Sequence, residues 1–362
     1  MLCYTKSNFL KSVSISFKLF TVCHLHDMAH ATMKVIKQDE FGPAKNLYVS
    51  TGNKIPQPIG NQVLIDVHAT ALNRADLLMR TGKYPNQKKQ ITLGLEVSGV
   101  VSSCGSNSSK YKVGDNVMAL LPGGGYSEYV VANEDHVMAI PAELDFHQGT
   151  AIPEVWLTAY QLLHFVGKVQ KGESVLIHGG GSGVGTAAVQ LTKLAGAIPI
   201  VTAGTDKKIA FAKSLGASEG FNYKEGEFKD GVLKHTSGKG VDLILDCVGS
   251  SFWKQNIAVL AMEGRWVLYG LMGGVNVDGP LLGQILGKRA SLLGTTLMAR
   301  SDVYKAELIS EFSKNALPYF SSNSNTLVPI IDKVFDFSEV SDAHLYMESN
   351  QSNGKIILHV QD

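Results

Sequence analysis

Three glycines follow a short apolar run in the middle of the chain, and their spacing points to phosphate binding. Gly179, Gly183 and Gly185 form the pattern GxxxGxG, in which Ser182 stands where GxGxxG would have its middle glycine. Glycine permits a tight turn, and the helix expected over 186–195 would offer free N–H groups to an anion. A strand, a glycine turn and a helix in this order predict a dinucleotide site with the pyrophosphate at the turn. A tight turn that binds nothing is the alternative.

The end of the next apolar run indicates which dinucleotide to expect. No acid stands directly at its end to accept a hydrogen bond from the ribose 2′-hydroxyl, as an NAD enzyme would require. Thr205 and Lys208 follow instead, and they could receive a 2′-phosphate by hydrogen bond and charge. The sequence therefore favours NADPH, unless Lys207 and Lys208 are only the solvated start of a helix. Asp206 is discordant, and we expect its side chain to turn outward or to cap that helix.

The elements that must position these residues predict two domains in a chain of 362 residues. Residues 33–153 have strand-like patterns with Gly and Pro between them, which is typical of a small β-rich domain. Residues 154–297 carry short apolar runs that alternate with helical segments, as in a doubly wound parallel sheet. Residues 298–362 add a helical stretch and a last strand, which we expect to return to the first domain. The predicted fold class is α/β.

The charge and the cysteine content argue against several classes of function. The 33 Lys and Arg residues nearly balance the 32 Asp and Glu residues, and the formal net charge of +1 gives no global attraction to nucleic acid or acidic lipid. The four cysteines lie far apart without CxxC spacing, which argues against a structural zinc cluster and a disulfide framework. We therefore expect a small-molecule substrate and neither a nucleic-acid nor a membrane partner.

Residues 1–32 differ from the rest of the chain. Lys6, Lys11 and Lys18 interleave with Ser, Phe and Leu, and Asp27 is the only acid. We interpret this segment as a disordered extension or a targeting peptide, although the absence of Arg speaks against the latter. Its apolar stretch is broken by Lys18 and is too short to span a bilayer. A cytoplasmic location is expected, with a mitochondrial one as the alternative if the segment acts as a transit peptide.

Several motifs in one order resemble the zinc-free quinone oxidoreductase family of the medium-chain dehydrogenase/reductase superfamily. They are ALNRAD (71–76), LGLEVSG (93–99), VGDNV (113–117), LLPGGG (120–125), AIPE (151–154) and the glycine turn (178–185). Two further stretches, FNYK (221–224) and LYGLMGG (268–274), most closely resemble its p53-inducible branch. The resemblance implies a GroES-like catalytic domain, a Rossmann domain, and NADPH in the cleft between them. Zinc-dependent relatives have a cysteine near Asn73 and a histidine in the second motif, and this chain has neither.

The resemblance also implies roles for individual residues. It places Asn73 and Thr158 near the nicotinamide, Ser182 and Val184 with Gly179, Gly183 and Gly185 at the pyrophosphate turn, Thr205, Lys208 and Tyr223 around the adenosine phosphate, and Leu271 and Met272 against the cofactor at the end of a strand. Asn73 could instead cap the following helix, and Tyr223 could belong to the core. Tyr84 is our candidate for a substrate-pocket residue, beside Asn73 in the catalytic site. Either Tyr84 or water could donate the proton, and Tyr84 could instead only line its loop.

The expected activity is reduction of quinones, such as ortho-quinones, by NADPH without zinc. A quinone is already electrophilic, so positioning is the main requirement, and hydride and one-electron transfer both stay open. The alternatives are a 2-enoyl-thioester reductase, which would need a committed acid, and a non-catalytic NADPH-binding protein. Relatives commonly pair edge strands of their Rossmann sheets, so we expect a homodimer formed through residues 273–296.

Overall fold

The computed structural model describes residues 32–85, 89–321 and 326–361. The predictions made for residues 1–31 lie outside this part of the chain. None of the helices found in the described residues has the length and apolar character that a bilayer crossing requires.

Strands dominate the first part of the chain, and few helices interrupt them. The strands are β1 (Thr32–Lys37), β2 (Tyr48–Lys54), β3 (Gln62–Leu72), β4 (Glu96–Cys104), β5 (Asn116–Leu120), β6 (Tyr129–Asn133) and β7 (Val137–Ala139). The helices are α1 (Arg74–Arg80), α2 (Phe146–Thr150) and α3 (Pro153–Tyr160), and α3 continues as a π-helical turn over Gln161–Val166. The alternation of buried and half-buried residues along β6 is that of a strand with one face on a core, and β3 alternates in this way over residues 65–69.

Strands and helices then alternate through the middle of the chain. They are β8 (Ser174–His178), α4 (Gly183–Leu194), β9 (Ile198–Ala203), α5 (Asp206–Ser214), β10 (Glu219–Asn222), α6 (Lys229–His235), β11 (Val241–Asp246), α7 (Trp253–Val259), β12 (Leu260–Leu268), α8 (Leu281–Lys288) and β13 (Ser291–Gly294). The six strands pair in parallel in the order β10-β9-β8-β11-β12-β13. The order reverses between β8 and β11, and ligands bind at the carboxyl ends of strands at such a switch point.

The last part of the chain returns to the first sheet. It contains α9 (Asp302–Asn315), β14 (Ile331–Asp336), α10 (Val340–Glu348) and β15 (Lys355–His359). The seven-stranded sheet has the order β14-β15-β3-β4-β5-β7, with β6 paired to β3, and β15 runs antiparallel to β3. A β-rich GroES-like part and a parallel Rossmann-type sheet confirm the predicted α/β class. The domain boundaries at residues 153 and 297 stay a prediction.

A shared hydrophobic core holds the two sheets together. It includes Met118 and Leu120 from β5, Val175 from β8 and Phe312 from α9, with the buried Trp156 of α3 among them. Helix α3 is therefore packed between the two sheets, and only two of its eight residues are not buried.

Candidate active site at the carboxyl ends of the parallel strands

The glycine turn between β8 and α4 leaves no room for side chains where the chain reverses. Gly179 has a left-handed backbone with φ of +72°. A Cβ on Gly185 would lie 2.1 Å from the carbonyl oxygen of Gly179, which is far inside van der Waals contact. Ser182 caps α4, because its Oγ accepts a hydrogen bond from the Gly185 N–H at 3.0 Å. The turn thus leaves N–H groups at the start of a 12-residue helix facing the switch point.

A buried polar network supports this turn from below, and sequence reasoning missed it. His178 joins Thr202 Oγ1 through Nδ1 and Asn256 Oδ1 through Nε2, each at 2.8 Å. Asn256 donates in turn to Asp246 Oδ2 at 3.0 Å. Since Asn256 presents its carbonyl oxygen to His178, Nε2 carries the proton, and burial lowers the pKa of His178 so that the ring stays neutral. The sequence signal that could have revealed this network is a polar residue near the end of each of three apolar strands, namely His178, Thr202 and Asp246.

The same network holds the loop that follows β11. Asp246 Oδ1 accepts the N–H groups of Val248 and Gly249, at 2.6 and 3.0 Å. Leu271 and Met272 lie in the loop that follows the carboxyl end of β12, as predicted, and 47% and 58% of their surfaces are exposed. The N–H of Met272 donates to the carbonyl of Cys247 at 3.1 Å, which places this loop beside the turn. Their contact with a cofactor stays a prediction.

The residues expected around the adenosine phosphate lie together. Thr205 caps α5 by accepting from the Lys208 N–H at 3.3 Å. A Cβ on Gly204 would lie 2.8 Å from the Tyr223 hydroxyl, so this exposed ring covers the strand end instead of filling the core. Asp206 is exposed and accepts from Asn222 at 3.2 Å, which confirms that it turns outward. The N-cap of α5, the alternative position predicted for Asp206, is Thr205.

Lys208 is more than a solvated helix residue. Its Nζ donates to the carbonyl oxygen of Asn350 at 2.8 Å, across to the segment between α10 and β15. Burial lowers the pKa of Lys208, and the positive charges of Lys224 and Arg74 lower it further. A Cβ on Gly181 would meet the Lys208 side chain at 2.9 Å, so the lysine reaches back over the glycine turn. Charge repulsion of this kind is relieved when an anion binds.

Asn73 belongs to a buried cluster on the catalytic side of the cleft. Its Nδ2 donates to Glu96 Oε1 and its Oδ1 accepts from Lys355 Nζ, both at 2.8 Å. Lys355 also donates to Glu96 Oε1 at 2.6 Å and to the carbonyl of Leu72 at 2.8 Å. Asn73 is also the N-cap residue of α1, which confirms the alternative prediction, and its N–H donates to Asp76 Oδ2 at 2.8 Å. Sequence reasoning missed Glu96 and Lys355.

This cluster does not suit zinc. Its acceptors already surround the Lys355 ammonium group, which has three protons for three acceptors. Among the described residues, no group of three or more His, Cys, Asp and Glu side chains is arranged to hold a metal ion. The donor set of a zinc site, with cysteine or histidine ligands, is replaced here by an amide and a lysine-paired carboxylate.

Tyr84 and Thr158 are both related to this cluster through Glu154, whose N–H donates to Glu96. Tyr84 is half-buried, and burial together with the nearby charge of Glu154 raises the pKa of its hydroxyl. Thr158 is half-buried on α3, one turn after Glu154. A Cβ on Gly183 would lie 2.9 Å from both Val155 of α3 and Lys355, so the glycine turn is in contact with this side of the cleft. Val184, the next residue after Gly183, is half-buried.

The structure therefore links several of the predicted residues by direct contacts. Lys208 reaches over Gly181 of the glycine turn, Gly183 contacts Lys355, and Lys355 donates to Asn73. A separate concavity of about 490 Å³ lies between α5 and β10 and is lined in part by Asp206 and Asn222. We assign the site to the glycine turn and the residues that contact it, since strand ends, the start of α4 and the Lys208 ammonium meet there.

Two domain families match the chain. The alcohol dehydrogenase GroES-like domain matches residues 60–142, and the zinc-binding dehydrogenase domain matches residues 183–314. The quinone oxidoreductase of Homo sapiens is 31% identical over 330 residues, covering 90% of this chain and 97% of the relative.

Solved structures of similar fold extend over nearly the whole chain as well. A quinone oxidoreductase from Pseudomonas syringae pv. Tomato DC3000 has a TM-score of 0.80 at 28% identity and covers 91% of this chain and 100% of that one. The CurK enoyl reductase has a TM-score of 0.81 at 30% identity and covers 90% and 99%.

The fold and the two matched domains define a medium-chain oxidoreductase that uses a nicotinamide cofactor. Within that class, the chain belongs to the quinone oxidoreductase family. Its glycine turn suits the cofactor, because the close packing of Gly185 on Gly179 keeps side chains out of the turn and the start of α4 presents N–H groups to an anion. The finer resemblance to the p53-inducible branch stays a prediction.

Proposed function

We propose that this protein is an NADPH-dependent quinone reductase that works without zinc on quinones such as ortho-quinones. The observation that supports the choice of NADPH is the placement of Lys208, Thr205 and Tyr223 around one strand end with Asp206 turned away. NAD enzymes need an acid at this point, whereas a lysine and a threonine suit a 2′-phosphate.

The chain's own residues would bind and orient both reactants. The turn at Gly179, Ser182, Gly183, Val184 and Gly185 would hold the pyrophosphate, and Leu271 and Met272 would border the cofactor. Asn73 and Thr158 would fix the nicotinamide, which supplies a hydride when the cofactor is bound. Tyr84 would line the quinone pocket. Because a quinone needs little activation, positioning by these groups is the main contribution. Whether electrons move as a hydride or singly stays open.

Replacement of Lys208 tests the cofactor assignment. We expect wild-type protein to oxidise NADPH rapidly with 1,2-naphthoquinone, followed by the near-ultraviolet absorbance of the reduced cofactor, and NADH slowly. Lys208→Gln should raise KM for NADPH about 10-fold, because one charge-assisted hydrogen bond to the phosphate is lost, and leave KM for NADH unchanged. Lys207→Gln, an exposed neighbour, is the matched control. Equal use of NADH and NADPH by wild-type protein would contradict the proposal. Undiminished activity after dialysis against a chelator would support zinc independence.

A 2-enoyl-thioester reductase is the second candidate. It is favoured by the likeness to the CurK enoyl reductase and by a half-buried carboxyl group, that of Glu154, beside Tyr84. Turnover of crotonyl thioester with none of any quinone would reverse the order of the two candidates. Tight NADPH binding without turnover of any acceptor would instead indicate the non-catalytic alternative. Homodimer formation and a cytoplasmic location are further parts of the proposal.

A further inference from the structure

Helix α3 has one narrow face that is not part of the core. Six of its eight residues are buried, and the two that are not are Glu154 and Thr158. Residues four positions apart lie on the same side of a helix. The part of α3 that is not buried therefore presents one carboxyl group and one hydroxyl group.

This face lies between the glycine turn and Tyr84. Val155, the next residue after Glu154, contacts Gly183, where a Cβ would be 2.9 Å away. The Glu154 N–H donates to Glu96 Oε2 at 2.7 Å, which fixes the start of the helix against the buried cluster. The charge of Glu154 in turn raises the pKa of Tyr84, so the two side chains are within electrostatic reach. Glu154 thus borders the reaction site from the core side.

The carboxyl group of Glu154 has no hydrogen-bond partner among the described side chains, unlike the nearby Glu96. Burial is the largest influence on it, and the charges of Glu96 on β4 and Asp76 on α1 add to it, so that the pKa of Glu154 is raised to about 8. Lys355 on β15 and Lys305 on α9 act in the opposite direction without cancelling the rise. The group is therefore protonated at neutral pH and free to give its proton away.

We propose that Glu154 is the proton donor of the reaction, an inference that rests on the function proposed above. Hydride transfer brings two electrons to the quinone and leaves a hydroquinone anion. The O–H bond of Glu154 then breaks, its proton goes to that oxyanion, and the carboxylate regains a proton from water. Thr158, on the same face, holds the nicotinamide next to the acid, as proposed above.

The importance of this acid depends on the acceptor. Reduction of an ortho-quinone leaves a phenolate-like anion that water can protonate, so a donor helps only modestly. Reduction of an α,β-unsaturated ketone leaves an enolate, which is much more basic and needs a positioned acid. Glu154 thus extends the acceptors of this site from quinones to activated alkenes.

Glu154→Gln tests the proposal with little change in shape. We expect kcat with cyclohex-2-enone to fall about 100-fold and kcat with 1,2-naphthoquinone to fall only a few-fold, the former being the usual size of a general-acid effect. Wild-type kcat should decline as pH rises through about 8 with either acceptor, and the variant should show no such decline. Glu154→Asp should restore part of the activity, and the exposed Glu307→Gln should behave as wild type.

A second measurement does not depend on turnover. In protein labelled with ¹³C at the glutamate carboxyl carbons, one signal should titrate near pH 8 and be absent from Glu154→Gln. A Glu154 signal that titrates near pH 4 to 5, the ordinary range for glutamate, overturns the inference whatever the activity. Equal kcat and pH profiles of variant and wild type also overturn it. If wild-type protein fails to oxidise NADPH with any quinone while the signal titrates near pH 8, the proposed function has failed and the acid has not.

Discussion

At the scale of single residues, the main feature of this site is a buried lysine that is paired with a buried glutamate. The Lys355 ammonium has three protons, and they are used by Leu72, Asn73 and Glu96. One carboxylate oxygen of Glu96 also accepts a hydrogen bond from the Asn73 side-chain amide, and the other accepts one from the Glu154 N–H. Both charged groups are almost wholly buried, at 3% and 0% side-chain exposure, so each depends on the other for its solvation.

Removal of one partner should therefore be costly. Lys355→Met leaves the Glu96 carboxylate buried without its counter-charge, and we expect the free energy of unfolding to fall by about 3 to 5 kcal/mol. Lys314→Met, on an exposed position of α9, should change it by less than about 0.5 kcal/mol. Urea unfolding of the two variants and of the double variant Glu96→Gln/Lys355→Met measures the difference. The double variant should recover much of the loss, and a Lys355→Met protein as stable as wild type would contradict this account.

This pair also shows what a sequence cannot reveal about a site. Lys355 and Glu96 are 259 residues apart, and nothing local in either segment indicates the other. Asn73 was predicted because its motif is recognisable, but its amide is engaged with this pair, which the motif did not indicate. Glu154 was quoted within a motif and given no role, because its raised pKa arises from burial by distant elements.

At the scale of elements, the local signals were the dependable ones. The order of strand, glycine turn and helix was predicted from contiguous residues, and the β8-turn-α4 unit has that form. Steric limits act between residues that are close in sequence. A position that tolerates no side chain must therefore be a glycine, and such a glycine is visible in the sequence. The His178 network that supports the turn joins three strands and was not predictable from any one of them.

Replacement of two glycines of the same turn by alanine should affect NADPH binding to very different degrees. A Cβ at Gly185 meets the backbone of Gly179 at 2.1 Å, whereas a Cβ at Gly181 meets only atoms of the flexible Asn353 and Lys208 side chains, at 2.7 and 2.9 Å. We expect Gly185→Ala to weaken NADPH binding at least about 10-fold, since the backbone must move away from the pyrophosphate site. Gly181→Ala should bind within about 3-fold of wild type. Isothermal titration calorimetry gives both values, and equal losses would show that the turn is not limited by backbone contact.

At the scale of the whole molecule, the two edges of the parallel sheet differ. The edge at β10 has four half-buried residues beside polar groups, whereas the edge at β13 follows a helix with strongly exposed leucines. Leu282 and Leu286 of α8 are 82% and 79% exposed, and they lie four residues apart on one helix face. Apolar surface next to an unpaired strand edge is a common basis for self-association. The predicted dimer through residues 273–296 would cover both features at once.

Leu286→Asp should separate such a dimer. A charge placed on the covered apolar face must be desolvated without a partner, and by two-fold symmetry it enters the interface twice, so we expect the dissociation constant to rise at least about 100-fold. Val303→Asp is the matched control, because Val303 is equally exposed, at 79%, but lies on α9 outside the predicted interface. Light scattering at micromolar concentration should give a dimer for wild type and for Val303→Asp, and a monomer for Leu286→Asp. A monomeric wild-type protein would refute the dimer, and a dimeric Leu286→Asp protein would move the interface to another face, because an unpaired aspartate could not stay buried at this one.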